Sequence, residues 1–181
     1  MNTHSGFKAF LTFTIVLLIG IITSTYASAA ITDEEIAHIV VTANTIDITA
    51  GKLALGKATN ADVKKFADWM VNGHSSINTS AAALVAKLKV TPKDNDTSKD
   101  LAKGGEENVA HLTKLTGAEF DKAYISHEVA FHDTVLEALN KTLIPNAKNK
   151  ELKETLIKSE AVIQGHVARA REIVANLNSK K

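Results

Sequence analysis

Between residues 118 and 143, apolar side chains recur every three or four positions, which is the spacing of one face of an α-helix. Three other segments, at about 32–59, 60–90 and 147–177, show the same spacing over similar lengths. A one-sided helix must bury its apolar face against another element, so these four segments have to pack on one another. The stripe of the 118–143 segment is Ile125, Val129, His132, Leu136, Leu139 and Leu143.

The connections between these segments predict how they are arranged. Tight turns are expected at 59–60 and 144–146, whereas the longer connection over 91–117 contains a shorter helix, predicted at 98–115 and weakened by Gly104 and Gly105. Both prolines, Pro92 and Pro145, lie at expected helix boundaries, and alternating β-branched runs are absent from the sequence after residue 30. The sequence therefore predicts an all-α, ferritin-like four-helix bundle with a short extra helix in the long crossover.

Local signals mark the helix ends. The run from Thr32 to Glu35 has the form of a capping box, and Asn60 is placed to cap the second helix. Gly73 lies inside that second helix, where glycine costs about 1 kcal/mol relative to alanine. We expect it to allow close packing beside His74.

Residues 1–29 have the pattern of a cleavable signal peptide. Lys8 precedes an apolar run from Ala9 to Ile22, and Ala27-Ser28-Ala29 forms a small-x-small cleavage site. The alternative is a membrane anchor, but the run is shorter than the ~20 apolar residues that a spanning helix needs. We therefore expect residues 30–181 to form one domain, located in the periplasm or secreted, with no membrane span after cleavage.

Charge and cysteine content narrow the class of partner. Lys8 is the only charged residue in 1–29 among the chain's 21 basic and 20 acidic residues, so 20 of each follow it. A net charge near zero argues against nucleic acid and anionic membranes as partners. The absence of cysteine excludes thiol catalysis, iron–sulfur clusters and cysteine-bound zinc. A metal ion, a second copy of the chain and an envelope protein remain open as partners.

Each long helix carries one metal-ligating residue on its inward stripe. These residues are Asp47, His74, His132 and His166. Imidazole and carboxylate groups bind first-row metals, and buried without partners they would be costly. The pattern indicates a metal site in the bundle core, with zinc, copper and iron all open. Met70 and Glu128 each lie four residues from one of these histidines and are possible accessory ligands.

Counting residues from the turns gives the expected height of each ligand. Asp47 and His74 are nearly level about the first turn, whereas His132 lies 13 residues before Pro145 and His166 lies 21 after it. At ~1.5 Å per residue this predicts an offset of roughly 12 Å for His166. We expect Asp47, His74 and His132 to form the site and His166 to form a second polar layer. A separation of His74 and His132 nitrogens much beyond ~5 Å would exclude one shared ion.

No sequence motif identifies a reaction. The di-iron ferritin signature, which needs Glu-x-x-His on two helices with further carboxylates, is missing from the sequence, and so are the nucleophile elbow, the P-loop and the dinucleotide fingerprint. A non-enzymatic, metal-binding bundle is therefore the favoured interpretation. The alternatives are a structural or envelope-stress module whose histidines are satisfied by hydrogen bonds, and a metal oxidoreductase, for which the sequence offers nothing specific.

Several segments of the sequence carry a family resemblance: Gly51–Leu55, Val63–Met70, His74, Leu115–Tyr124, His132 and His166. Together they resemble a secreted bacterial family, domain-of-unknown-function family 4142, over about residues 33–175. The resemblance implies a secreted ferritin-like helical bundle of unassigned biochemical role. The sequence departs from the family pattern at Gly73 and Phe131, where an acidic residue usually precedes the histidine, and at Glu160-Ala161, where Leu-Pro is common.

Overall fold

The structure is a computed structural model that describes residues 30–179. The predicted signal peptide lies outside the described residues. The helices are α1 (Asp33–Lys57), α2 (Ala61–Leu88), α3 (Asp96–Thr113), α4 (Gly117–Ala138), α5 (Ile144–Asn146) and α6 (Lys150–Ser179), with a π-helical turn at Leu139–Leu143 between α4 and α5.

The predicted all-α bundle is confirmed. The hairpin of α1 and α2 packs against the hairpin of α4 and α6, and the crossover helix α3 lies along α1. Within residues 30–179, no helix combines the length and the apolar character needed to cross a bilayer.

Local sequence accounts for where the first two helices begin. Thr32 and Glu35 form the predicted capping box, and the side chain of Asn60 accepts from the backbone N–H groups of Asp62 and Val63. Asp121 on α4 accepts from the backbone N–H groups of Thr59 and Asn60 at 3.0 and 2.9 Å, so the second hairpin also fixes the start of α2.

The crossover helix lies close to α1 at a glycine. A Cβ built at Gly105 would stand 2.7 Å from a side-chain carbon of Ile46, so only glycine permits this approach. Gly104 beside it meets no atom of the described chain within 4 Å. Gly117 begins α4 with a φ of +57°, a conformation in which glycine is favoured.

The end of the second hairpin differs from expectation. The helical path of α4 continues through the π-helical turn and α5 to Asn146, and α6 begins at Lys150 rather than at residue 147. Asp33 contributes to this later start, since its carboxylate accepts from the backbone N–H groups of Lys148 and Asn149 at 2.8 Å each.

Two apolar clusters fill the bundle core and leave a polar layer between them. One cluster, around Phe66, Met70 and Tyr124, lies towards the Thr59 turn. The other, around Ile36 and Leu156, lies towards the α5 end. Along α1, α4 and α6 the candidate ligands fall between residues of the two clusters, whereas on α2 His74 follows residues of the first cluster only.

Candidate metal centre

The polar layer brings together residues from all four long helices. Its members are Asn44 and Asp47 on α1, His74 on α2, Glu128 and His132 on α4, and His166 on α6. Each is at most 6 % exposed. All four ligands expected from the sequence are therefore in one layer, together with one of the two accessory candidates.

The three imidazole rings form a triangle. The ring centroids of His74 and His132 are 5.6 Å apart, and His166 lies 5.2 Å from each. Ligand nitrogens of all three lie within 4.8 Å of one another. This distance is below the ~5 Å beyond which one ion shared by His74 and His132 would be excluded.

The expected displacement of His166 into a second layer is wrong. Its Nδ1 lies 3.3 Å from Nε2 of His132. The prediction from the sequence placed the turn at Pro145, but the helical path continues to Asn146 and α6 begins at Lys150. Counted from these ends, His132 lies 14 residues away and His166 lies 16, which at ~1.5 Å per residue leaves an offset of about 3 Å.

Hydrogen bonds fix the tautomer of His132. Its Nδ1 lies 2.9 Å from the backbone carbonyl of Glu128, which can only accept, so Nδ1 carries the hydrogen. The lone pair is then on Nε2, facing His166. The Glu128 carboxyl is 3.6 Å from the same Nδ1 and can support it, as carboxylates commonly do for metal-binding histidines.

His74 is held in the same way by an amide. Its Nδ1 donates to the Asn44 side-chain oxygen at 2.7 Å, and the Asn44 amide nitrogen donates to Asn78 at 3.0 Å. The lone pair of His74 is therefore on Nε2, which lies 3.4 Å from Asp47 Oδ2. Sequence reasoning missed Asn44, although it lies three residues before Asp47, close to the same helix face.

Burial controls the charge of the layer. It lowers the pKa of His74 to about 3, with further lowering from His132 and His166. Burial likewise lowers the pKa of His132 and of His166 to about 4. It raises the pKa of Glu128 to about 8 and, together with Glu128, raises that of Asp47 well above its usual range. Near neutral pH the imidazoles are thus neutral and Glu128 is largely protonated.

Several polar atoms of the layer have no hydrogen-bond partner among the described residues. They include Nε2 of His74 and Nε2 of His166. The hydroxyl of Tyr124 and the carboxyl of Glu128 lie near each other without good hydrogen-bond geometry, and burial, followed by the nearby Glu128 and Asp47, raises the pKa of Tyr124. Unpaired buried polar atoms are costly.

The structure also shows the surroundings of Met70, the second accessory candidate, and of Gly73, the glycine beside His74. Met70 is fully buried in the apolar cluster around Phe66 and Tyr124, as expected of core packing. The expected close packing at Gly73 is wrong, because a Cβ there would meet no described atom within 4 Å. Trp69, the only tryptophan in the sequence, packs edge-to-face on His166 with ring centroids 4.5 Å apart.

Similarity to known proteins supports the helical fold. A family model described as "Domain of unknown function (DUF4142)" matches residues 23–173. The crystal structure of a DUF305 protein from Streptomyces coelicolor, described as a candidate secreted protein, is similar with a TM-score of 0.68 at 9 % identity. The match covers 80 % of this chain and 92 % of that one, and at this identity it shows the fold alone. None of the curated proteins matches the sequence significantly.

Proposed function

The chain belongs to the DUF4142 family, and from its buried histidine layer we propose that it is an exported protein that binds one divalent first-row transition metal ion in the bundle core. The ligands are His74, His132 and His166, with Asp47 as the fourth. Glu128 orients His132 and contributes a second negative charge. We propose binding of the metal ion and no catalysed reaction.

The observation that carries the proposal is the facing pair of nitrogens on His132 and His166. Two ligand atoms at about 2.05 Å from one tetrahedral ion are about 3.3 Å apart. The separation of these nitrogens is 3.3 Å, and that of His74 Nε2 from Asp47 Oδ2 is 3.4 Å. Both pairs therefore already have the spacing of ligand atoms around a small ion.

Charge supports a divalent ion. Three neutral imidazoles carry no charge, whereas ionised Asp47 and Glu128 together carry two negative charges. An ion of charge +2 makes the buried layer neutral, which avoids the large cost of leaving net charge in an apolar core. Imidazole-rich sets suit zinc, copper, iron and nickel, and the Irving–Williams order makes Cu²⁺ the tightest of these.

The alternative function is a structural or envelope-interaction module without metal. It requires the buried histidines to be satisfied by hydrogen bonds. The unpaired Nε2 of His74, counted within residues 30–179, faces Asp47 and favours the metal proposal instead.

The test is metal binding by the purified protein that begins at Ala30. Zn²⁺ and Cu²⁺ affinities are measured by equilibrium dialysis, and for Cu²⁺ also by quenching of Trp69 fluorescence. We expect one ion per chain and strong loss of binding in the His74→Ala/His132→Ala double variant. His111→Ala removes an exposed histidine and is the matched control. If the wild type binds no more tightly than the double variant, the proposal is wrong.

A further inference from the structure

The three imidazoles are enclosed, so an ion cannot reach them without movement of the protein. His74 is 3 % exposed, and His132 and His166 are each 1 % exposed. Trp69 covers His166 while itself remaining 42 % exposed. The cover over the layer at this point is therefore a single side chain with solvent on its other side.

His166 is the imidazole against which Trp69 packs. Its Nδ1 faces His132, and Nε2, on the other side of the ring, has no partner within the described part of the chain. An ion arriving past Trp69 would therefore meet His166 before His74 and His132.

The helices beside this cover contain glycine where packing does not require it. Gly73 directly precedes His74 on α2, and Gly165 directly precedes His166 on α6. A Cβ at either position would meet no atom of the described chain within 4 Å. Each glycine costs a helix interior about 1 kcal/mol relative to alanine, because its backbone has more freedom to lose. Each glycine thus lowers the stability of its helix next to a proposed metal-binding histidine.

We propose that the α2–α6 seam at Trp69 is the route by which the ion reaches and leaves the imidazole layer. Trp69 is the movable cover, and Gly73 and Gly165 are the points at which the two helices yield. This inference rests on the proposed metal binding. Trp69 offers only an N–H donor and no ligand atom, so it controls the rate of exchange and not the affinity.

The first experiment measures Zn²⁺ exchange with a chromophoric chelator in a stopped-flow instrument. We expect Trp69→Ala to speed both association and dissociation roughly tenfold, as removal of a gate does, with little change in the dissociation constant. Gly165→Ala should slow both rates. Leu55→Ala, which removes another exposed apolar side chain far along α1, is the control and should change neither rate. Unchanged rates in Trp69→Ala would overturn the proposal.

A second measurement does not depend on a metal. Diethylpyrocarbonate modifies accessible imidazoles, and mass spectrometry reports the rate at each histidine of the metal-free protein. Trp69→Ala should accelerate modification of His166 roughly tenfold while the exposed His111 keeps its rate. If the rate at His166 is unchanged, Trp69 is not a cover, whether or not Zn²⁺ binds. If Zn²⁺ fails to bind to any variant, the proposed metal function falls, and the modification rates alone decide whether the seam opens.

Discussion

Binding of a divalent ion to this layer should release the proton of Glu128. Burial holds the pKa of Glu128 at about 8, so this acid carries a proton at pH 6.5, and burial followed by the nearby Glu128 raises the pKa of Asp47 well above its usual range. The three histidines carry no added proton at that pH, because burial lowers their pKa values to about 3 and about 4. An ion of charge +2 stabilises the ionised form of Glu128, and its proton leaves.

The number of protons sets how steeply affinity depends on pH. Each proton released on binding raises the association constant tenfold per pH unit, so the proton of Glu128 gives about tenfold per unit, or roughly 1.4 kcal/mol. The sign is that affinity rises with pH. Above pH ~8 Glu128 is already ionised, and its part of the dependence should disappear.

Isothermal titration calorimetry with Zn²⁺ in buffers of different ionisation enthalpy counts these protons directly. At pH 6.5 we expect the wild type to release one proton more than Glu128→Gln, which keeps the shape of the side chain but has no proton to release. His111→Ala should release as many protons as the wild type. Equal release by the wild type and Glu128→Gln would show that Glu128 is ionised before the ion arrives, and would refute the reasoning that burial keeps this acid protonated.

Three further predictions concern stability and positioning. The metal-free protein should be most stable near pH ~6. Glu128, with its raised pKa, loses its contribution to the free energy of unfolding as pH rises towards 8, and the histidines, with lowered pKa values, lose theirs as pH falls from 6.5 towards 4. A melting temperature that climbs steadily to pH 8 would contradict this prediction. Asn44→Leu, which removes the acceptor for His74 Nδ1, should weaken Zn²⁺ binding by about 10- to 100-fold. Competition with a chelator measures this affinity. An unchanged affinity would mean that the Asn44 amide does not position the His74 ring. Gly105→Ala should destabilise the protein by about 1–3 kcal/mol, because the added Cβ would contact Ile46. Gly104→Ala, whose added Cβ meets open space, should stabilise the protein by up to ~1 kcal/mol. Urea unfolding distinguishes the two variants, and equal effects would contradict the packing of α3 on α1.

Much of the fold follows from local sequence. The three- and four-residue spacing of apolar positions determines which face of each helix is buried, and the same spacing places Asp47, His74, His132 and His166 on those faces. Thr32 with Glu35 and Asn60 mark helix starts because capping is an interaction between near neighbours in the chain. These features needed no knowledge of how the helices pack.

The height of each ligand along the bundle could not be obtained in this way. It depends on where a turn ends, and the turn after α4 is set by a π-helical segment and by the distant carboxylate of Asp33 on the backbone of Lys148 and Asn149. A shift of a few residues there moved the expected position of His166 by roughly 9 Å, at ~1.5 Å per residue. Gly105 was expected only to weaken α3, because its close approach to Ile46 on another helix is invisible in the local sequence.

The sequence by itself determined that four amphipathic helices bury one acid and three histidines, because periodicity is a property of each helix alone. Only the tertiary structure decided that these four side chains meet in one layer, that Asn44 sets the tautomer of His74, and that Trp69 packs on His166. Those facts depend on the relative axial positions and rotations of separate helices, which packing across the whole bundle fixes.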